Sequence, residues 1–515
     1  MRQMKRLKKL LRLVFGRTAF LVTFVLIQIV LLAVFFLRLE QLLPYAYAAF
    51  TFLSVVTVIY LISGKEDASV KLSWVIPMLA LPVFGTLFYL FFRLQTKGKK
   101  IGRRYRELGL QMEGYTRQDP DVMGRLVAVS GRQGNLVRYM NRYGPYCVYD
   151  RSRVTYFPLG DDVYPELLRQ LEAAEKFIFM EFFIVERGVM WDSVLEILER
   201  KAAAGVEVRF MYDGMGSLTL LPHGYDKTLR EKGIACRQYA PVVPALSSYQ
   251  NNRDHRKVVV IDGRTAFTGG FNLADEYINR RVRFGHWKDA GLMVKGDAVT
   301  SFTVMFLQMW HTMDDSFETY GRYMTGQAEK LESDGFVMPF GDTPFDHENV
   351  GEQVYLDIMQ QAKRYVHIMT PYLILDDTLV RNLGYAAKRG VETVIIMPHI
   401  PDKKYAYLLA RSYYPELLEA GVKIYEYTPG FVHAKVFVSD DEKAVVGTIN
   451  LDYRSLYLHF ECGVYLYRSS EVRRVEEDFQ STLSKCQPVT MDDCRSYPFF
   501  LRFAGRALRL IAPLM

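Results

Sequence analysis

The stretch HRKVVVIDGRTAFTGGFN, residues 255–272, recurs in part as HAKVFVSDDEKAVVGTIN, residues 433–450. In each copy a histidine is followed, at the same spacings, by a lysine, an aspartate, a glycine and an asparagine: His255, Lys257, Asp262, Gly269 and Asn272, then His433, Lys435, Asp440, Gly447 and Asn450. With ordinary residue usage, this pattern follows a given histidine by chance on the order of 10⁻⁵ of the time. The repetition therefore predicts two similar halves that share one chemistry.

β-Branched and aromatic residues follow the lysine in each copy and predict buried strands at 258–261 and 436–438. Alternate residues of a strand share a face, so each histidine points the same way as the lysine two positions later. Two such faces, brought together, surround a phosphate with imidazole, ammonium and amide groups. The lysines and asparagines would orient the phosphate oxygens. One histidine would then attack phosphorus while the other protonates the leaving oxygen.

The two aspartates of the motif permit two interpretations. Asp262 and Asp440 each follow directly on a predicted strand, and aspartate is a common residue for opening a turn. A structural role in the turn and a catalytic role beside the histidines both stay open from the residues alone.

Charge is distributed unevenly along the 515 residues, half of which are hydrophobic. Residues 1–17 and 93–106 each carry seven Lys or Arg and no acid, so the net charge of +8 conceals an excess of acids in residues 107–515. A nuclease needs positive charge on the domain that holds its substrate, so we expect no nucleic-acid partner. Basic flanks beside apolar segments instead suit anionic phospholipids at a cytoplasmic membrane face.

Three apolar runs, at 18–37, 44–63 and 72–92, each have about the 20 residues that a bilayer crossing needs. They predict N-terminal transmembrane helices and a multi-pass protein of the cell membrane. Basic clusters at both ends favour an even number of crossings, with the third run, which holds Pro77, Pro82 and Gly85, entering without crossing. Three full spans, with the enzyme outside, are the alternative.

From residue 154 onward, short strands alternate with helices, which predicts an α/β fold. The strand, helix and strand at 176–185, 192–205 and 206–212 recur in order at 364–374, 376–390 and 391–398, so the duplication covers a whole domain. We predict two similar α/β domains that meet at the active site. The predicted division is a membrane segment at 1–92, a basic linker at 93–150, domains at 151–330 and 331–495, and a C-terminal helix at 496–515.

The C-terminal segment carries Arg502, Arg506 and Arg509 at helical spacing among Phe, Leu, Ile and Ala. Such a basic amphipathic helix suits the headgroup layer of a membrane. A helix packed on the catalytic core is the alternative.

The doubled HxKxxxxD pattern with its later Gly and Asn resembles the phospholipase D superfamily. Further segments narrow the resemblance to bacterial cardiolipin synthases and extend it over nearly the whole chain: KLSWVIPMLALPVFGTLFYLFF (71–92), MYDGMGS (211–217), NNRDHRK (251–257), GGFNLADEY (269–277), FGHWKDAGL (284–292), GTINLDYRSL (447–456) and HFE (459–461). This chain departs from such synthases in having three hydrophobic segments where two are usual.

The resemblance implies two phospholipase D-like domains that transfer a phosphatidyl group between two phosphatidylglycerols, giving cardiolipin and glycerol. His255 would be the nucleophile, His433 the acid and base, and Asn272 and Asn450 phosphate ligands. It also implies that Asp289 and Glu461 orient the imidazoles, without deciding which histidine each serves. A rim acid in a surface ion pair is the alternative for both acids. A phospholipase D-type hydrolase, a nuclease of the superfamily and an inactive lipid-binding scaffold are the alternative functions.

Five cysteines show neither metal-ligand spacing nor a disulfide framework: Cys147, Cys236, Cys462, Cys486 and Cys494. The remaining histidines indicate no metal site, and a two-histidine mechanism needs none. We therefore expect no metal or other cofactor, and phosphatidylglycerol and other anionic phospholipids as partners. Protein partners are not indicated by the sequence.

Overall fold

The computed structural model describes residues 17–42, 44–95, 97–243, 248–314, 318–324, 331–346 and 348–514. The basic start, apart from Arg17, lies outside these residues, and so does 325–330, the end of the predicted first domain. The N-terminal region is helical, with helices Arg17–Leu42, Pro44–Ile62, Ala68–Ala80, Pro82–Arg93, Lys97–Met112, Pro120–Val129 and Gly131–Tyr143.

The third apolar run forms two short helices, Ala68–Ala80 and Pro82–Arg93, which fold back on each other at Leu81. Proline at the first position of the second helix cannot continue the first one. The rings of Trp74 and Tyr89 meet at a centroid distance of 5.4 Å, which only a hairpin permits over this sequence separation. The third apolar run is thus divided into two short helices at its second proline.

None of the helices among the described residues is both long and apolar enough to cross a bilayer. The predicted transmembrane helices are therefore not confirmed.

The first half forms a seven-stranded mixed sheet in the order β1-β8-β6-β5-β2-β3-β4. Its strands, with β7 outside that sheet, are β1 Ser152–Phe157, β2 Phe177–Phe182, β3 Glu207–Asp213, β4 Ala235–Tyr239, β5 Val258–Ile261, β6 Thr265–Gly269, β7 His286–Lys288 and β8 Gly291–Gly296. The associated helices are Gly160–Glu172, Val189–Ala203, Tyr225–Glu231 and Val299–Thr312. The central strands β2 and β5 are buried along their whole length, as expected of strands covered on both faces.

The second half forms an eight-stranded sheet in the order β17-β12-β11-β10-β14-β15-β16-β9. Its strands, with β13 outside that sheet, are β9 Phe336–Asp342, β10 Tyr365–Met369, β11 Glu392–Pro398, β12 Lys423–Tyr427, β13 Gly430–Val432, β14 Val436–Ser439, β15 Lys443–Gly447, β16 Glu461–Tyr467 and β17 Cys486–Pro488. The associated helices are Val350–Gln361, Asp377–Lys388, Lys404–Glu419 and Glu471–Leu483. Without β17, this order repeats that of the first sheet strand for strand, so the predicted duplication is confirmed.

The two halves share one hydrophobic core. Side chains of β5, such as Val258 and Val260, lie in the same buried cluster as Val436 and Val438 of β14. A parallel pair of β7 and β13 joins the halves at the edge of this core. The strands that follow the two motif histidines therefore face each other across the interface.

The C-terminal helices Met491–Ser496 and Phe499–Arg509 lie against the second half. A side chain at Gly505 would meet the carbonyl oxygen of Leu408 at 2.9 Å, and the guanidinium of Arg509 lies 3.8 Å from the ring centroid of Tyr413. The opposite face exposes Phe499, Phe500 and Phe503. One face of the helix thus packs on the catalytic part while its phenylalanines face outward.

Candidate active site at the interface of the two halves

Each motif histidine lies just before its strand and forms a buried pair with an acid of the other half. Nδ1 of His255 lies 2.8 Å from Oε1 and 3.0 Å from Oε2 of Glu461, which opens β16. Nδ1 of His433 lies 2.7 Å from Oδ2 of Asp289, which lies between β7 and β8. When Nδ1–H donates to the acid, Nε2 keeps its lone pair and is available to attack or to accept a proton.

Backbone hydrogen bonds set this crossed arrangement. The amide of His255 donates to the carbonyl of Phe460 at 3.0 Å, and the amide of His433 donates to the carbonyl of Lys288 at 2.7 Å. Phe460 and Lys288 immediately precede the two acids. Each histidine is therefore fixed beside its acid by the chain of the opposite half.

Close packing holds the acids in place. Thr448 donates a short hydrogen bond to Glu461, and the backbone amide of Ala290 donates to Asp289 at 2.9 Å. A Cβ at Gly270 would lie 2.0 Å from Oδ1 of Asp289, so only glycine fits there. Both carboxylates are fully buried. Neither Glu461 nor Asp289 therefore forms a surface ion pair, the alternative that the sequence left open.

The lysines surround the histidines with positive charge. Nζ of Lys257 donates to the carbonyl of His255 at 2.5 Å, and Lys435 makes the corresponding short contact with the carbonyl of His433. Burial, with this positive charge, lowers the pKa of His255 well below its usual value and that of His433 to about 4. Both imidazoles are therefore neutral at pH 7.

Burial also lowers the lysine pKa values, to about 8 for Lys257 and about 7 for Lys435. Burial on its own would raise the pKa of Asp289, but His433 and Lys435 outweigh it and lower that pKa below the usual range. The site thus places two ammonium groups beside two neutral imidazoles and the carboxylates of Asp289 and Glu461. An anion such as a phosphodiester would stabilise the charged forms of both lysines and of the histidines.

The motif aspartates do not lie among these groups. The carboxylate of Asp262 accepts backbone N–H bonds from Glu175, Lys176 and Phe177 at 2.7–2.8 Å. Asp440 accepts the corresponding bonds from residues 363–365 at 2.8–3.1 Å. Each lies five residues beyond its lysine, at the far end of a strand, or about 16 Å away. Of the two roles that the sequence left open for these aspartates, these contacts favour the structural one over the catalytic one.

The two asparagines differ in their surroundings. Oδ1 of Asn272 accepts from the amide of Ile184 at 3.0 Å, and its Nδ2 donates to the hydroxyl of Tyr277 at 2.8 Å. Oδ1 of Asn450 is buried and has no hydrogen-bond partner. The Asn272 amide is thus largely committed to the fold, whereas Oδ1 of Asn450 can still accept a hydrogen bond from a bound molecule.

Sequence reasoning missed a ring beside each histidine. The ring of His459 lies 5.7 Å from that of His255, at an interplanar angle of 45°. The ring of Trp287 lies 5.4 Å from that of His433, at 47°. Both residues stand two positions before an orienting acid, in HFE and WKD, and that shared spacing is the signal that identifies them in the sequence.

Comparison with known proteins agrees with the duplicated fold. A family model described as "Cardiolipin synthase, PLD-like domain" matches residues 167–310 and 355–483, and one described as "Phospholipase D-nuclease N-terminal" matches residues 51–93. The chain is 34% identical to a cardiolipin synthase of Alkalihalophilus pseudofirmus over 86% of its own length and 88% of the relative's. A cardiolipin synthase of Geobacillus kaustophilus gives the same three values. An uncharacterized protein of Streptococcus mutans is 46% identical over 89% of this chain and 99% of its own.

Among solved structures, the phosphatidylserine synthase of Haemophilus influenzae superposes with a TM-score of 0.58. The match covers 74% of this chain and all of that one, at 13% sequence identity. At this identity the likeness concerns the fold alone.

Proposed function

Because the chain belongs to the family of cardiolipin synthases with phospholipase D-like domains, we propose that it transfers a phosphatidyl group from one phosphatidylglycerol to another. The products are cardiolipin and glycerol. The observation that carries this proposal is the pair of buried histidines, each held through Nδ1 by an acid of the opposite half. Two such imidazoles supply the nucleophile and the acid that a two-step exchange requires.

In the first step, Nε2 of His255 attacks the phosphorus of the donor lipid. A P–N bond forms, the P–O bond to the glycerol headgroup breaks, and His433 gives its proton to the departing oxygen. His433 is neutral in the empty site, so it must gain this proton as the anionic phosphodiester binds and raises its pKa. The acids Glu461 and Asp289 keep both rings in the required orientation.

In the second step, the hydroxyl of a second phosphatidylglycerol replaces His255 on phosphorus. His433, left neutral by the first step, takes the hydroxyl proton as the new P–O bond forms and the P–N bond breaks. One phosphodiester is exchanged for another, so the reaction is nearly neutral in free energy and requires no nucleotide.

The lysines and Asn450 are the groups proposed to hold the phosphoryl oxygens. Charge grows on these oxygens in the trigonal-bipyramidal state, and fixed donors stabilise it by about 2 to 4 kcal/mol each, or roughly 10² to 10³ in rate. Lys257 and Lys435 are buried beside the histidines and are suited to this task. For Asn272, one amide hydrogen remains for the phosphate after its bond to Tyr277.

We further propose that the protein works at the cytoplasmic face of the cell membrane. The short hairpin exposes Leu72, Leu79 and Leu81, and the C-terminal helix exposes its phenylalanines. The hydroxyl of Ser73 donates to the carbonyl of Leu510 at 2.8 Å, so the two apolar surfaces are adjacent. Exposed Arg502 and Arg506 supply positive charge beside them.

The predicted division at residues 92, 150, 330 and 495 remains our proposal for the domains. All strands of the first sheet fall within 151–330 and all strands of the second within 331–495.

Incubation with labelled phosphatidylglycerol, labelled phosphatidylcholine and plasmid DNA in parallel tests the function. We expect labelled cardiolipin and released glycerol from the first substrate alone. Phosphatidic acid as the main product would identify a hydrolase, and nicked plasmid would identify a nuclease. Lipid binding without turnover would identify an inactive scaffold.

A further inference from the structure

His459 is a buried histidine with no assigned task in the proposed reaction. Its side chain is only 8% exposed, and neither ring nitrogen has a hydrogen-bond partner. A buried polar group without a partner costs free energy, so its retention points to a ligand that satisfies it. A neutral imidazole offers a nitrogen lone pair to such a ligand.

Two other potential metal ligands surround this ring. Nδ1 of His459 lies 3.8 Å from Oε1 of Glu461, and that oxygen lies 2.8 Å from Nδ1 of His255. One ligand atom from each of the three residues lies within 4.8 Å of the others. With metal bonds of about 2.0 to 2.1 Å, the edge of a tetrahedral site measures about 3.3 Å. Side-chain rotations that move these atoms by less than about 1 Å would therefore complete three corners of such a site.

We propose that His459, His255 and Glu461 form an inhibitory site for a divalent transition metal such as Zn²⁺. Two imidazoles and one carboxylate are a ligand set that Zn²⁺ accepts readily, with a fourth position left for water or a phosphate oxygen. The inhibition rests on the proposed function, because it requires His255 to be a reacting group.

A metal ion binds Nδ1 of His255 through the lone pair of that nitrogen, so Nδ1 can no longer carry a proton. The Nδ1 proton, which otherwise bonds Glu461, then moves to Nε2. Nε2 becomes an N–H donor and loses the lone pair with which it would attack phosphorus. Bound metal therefore stops the first step, the attack of Nε2 on phosphorus.

Among the described residues, the His433 side shows no corresponding group of three ligands. Trp287 holds the position that corresponds to His459, and its indole offers no lone pair to a metal. The neighbouring ammonium groups of Lys257 and Lys435 oppose a cation, and the carboxylate of Glu461 offsets part of that repulsion on the His255 side. The inhibition should therefore be confined to the His255 side.

Zn²⁺ binding to the detergent-solubilised full chain, followed by competition with a chromophoric zinc indicator, tests the site without turnover. Loss of a residue that hydrogen-bonds to a metal ligand lowers metal affinity roughly tenfold or more, and loss of a ligand itself should lower it at least as much. His459→Asn should therefore weaken the tightest Zn²⁺ site roughly tenfold or more. The Zn²⁺ concentration for half-inhibition of lipid transfer should rise by the same factor. His399→Asn is the matched control, because His399 also pairs with a glutamate, Glu426, at 3.0 Å but lies outside the three-residue group.

Equal Zn²⁺ affinity of the wild type and His459→Asn would overturn the proposal, and so would equal loss in His399→Asn. If His459→Asn does not fold, His459→Gln takes its place in the binding assay. The wild type loaded with Co²⁺ provides a second test, through its visible spectrum. Four-coordinate visible bands of Co²⁺, displaced by Zn²⁺, are expected, and a purely six-coordinate spectrum would count against the site. A protein that binds Zn²⁺ in this way but makes no cardiolipin would refute the proposed function and leave the metal site standing.

Discussion

Glu461 of the second half holds Nδ1 of His255 of the first half at 2.8 Å. The mirror relationship joins His433 to Asp289 at 2.7 Å. Neither motif histidine therefore finds its acid within its own half. Any change that separates the halves removes the orienting acid from both histidines together.

Replacing Glu461 with glutamine should abolish most activity while leaving the fold intact. A glutamine amide can donate to Nδ1, which favours the tautomer whose Nε2 carries the proton and cannot attack. We expect a loss of about 10²- to 10⁴-fold in kcat, measured with labelled phosphatidylglycerol, and an unchanged Tm. A loss of only a few-fold would show that the carboxylate does not set the tautomer.

His433→Ala should trap the intermediate on His255. Without its acid and base, the enzyme forms the P–N bond slowly and resolves it more slowly still. Radiolabelled lipid should leave acid-labile phosphate on the protein, and peptide mapping should place it on His255. Label trapped on His433 in His255→Ala, with none in His433→Ala, would reverse the two roles. Wild-type turnover with label in neither variant would exclude covalent catalysis.

Asp262→Ala should destabilise the protein without a direct effect on chemistry. The substitution removes three backbone hydrogen bonds to a carboxylate and places alanine at a φ of 54°. We expect a loss of about 3 kcal/mol or more in the free energy of unfolding, seen as a lower Tm. Asp262→Asn, which keeps one acceptor oxygen and tolerates positive φ, should lose less. A normal Tm with lost kcat would restore a catalytic role to Asp262.

The pH profile of kcat/KM should report the ammonium group of Lys435. Burial lowers its pKa to about 7 in the free enzyme. A lysine is charged below its pKa, so phosphate binding by this group is present at lower pH and lost as the pH rises through about 7. Because the bound phosphodiester stabilises the ammonium, the same limb in kcat should appear at higher pH.

The variant Lys435→Arg is the control for that limb. A guanidinium keeps its charge throughout the accessible range, so the decline near pH 7 should disappear even where the rate itself is lower. A decline at the same pH in the variant would assign it to another group.

The aromatic face of the C-terminal helix should matter on vesicles. Phe499, Phe500 and Phe503 are 62–78% exposed, and each would contribute about 1.5 to 3 kcal/mol on entering the apolar part of a bilayer. Their combined replacement by serine should lower turnover on anionic vesicles more than on detergent-dispersed lipid. Tyr385→Ser, at an exposed ring on another helix, is the control. Equal losses in both assays would indicate a purely structural role for this face.

The sequence alone identified the duplicated α/β domains and the two histidine–lysine pairs. Hydrophobic periodicity and the alternation of side chains along a strand are local properties. The second half of the chain repeats both patterns, so these predictions required no knowledge of distant contacts. The break at Pro82 was predictable for the same reason, because proline acts on its own segment of backbone.

Only the tertiary structure decided which acid serves which histidine. Glu461 is 206 residues from His255, and the crossed pairing depends on how the two sheets face each other, which no local pattern encodes. The same holds for Asp262, whose carboxylate is directed to the start of β2 rather than to the site, and for His459, whose ring meets His255 only across the interface. Contacts between halves are set by packing of whole sheets, so their partners become known only once both sheets are in place.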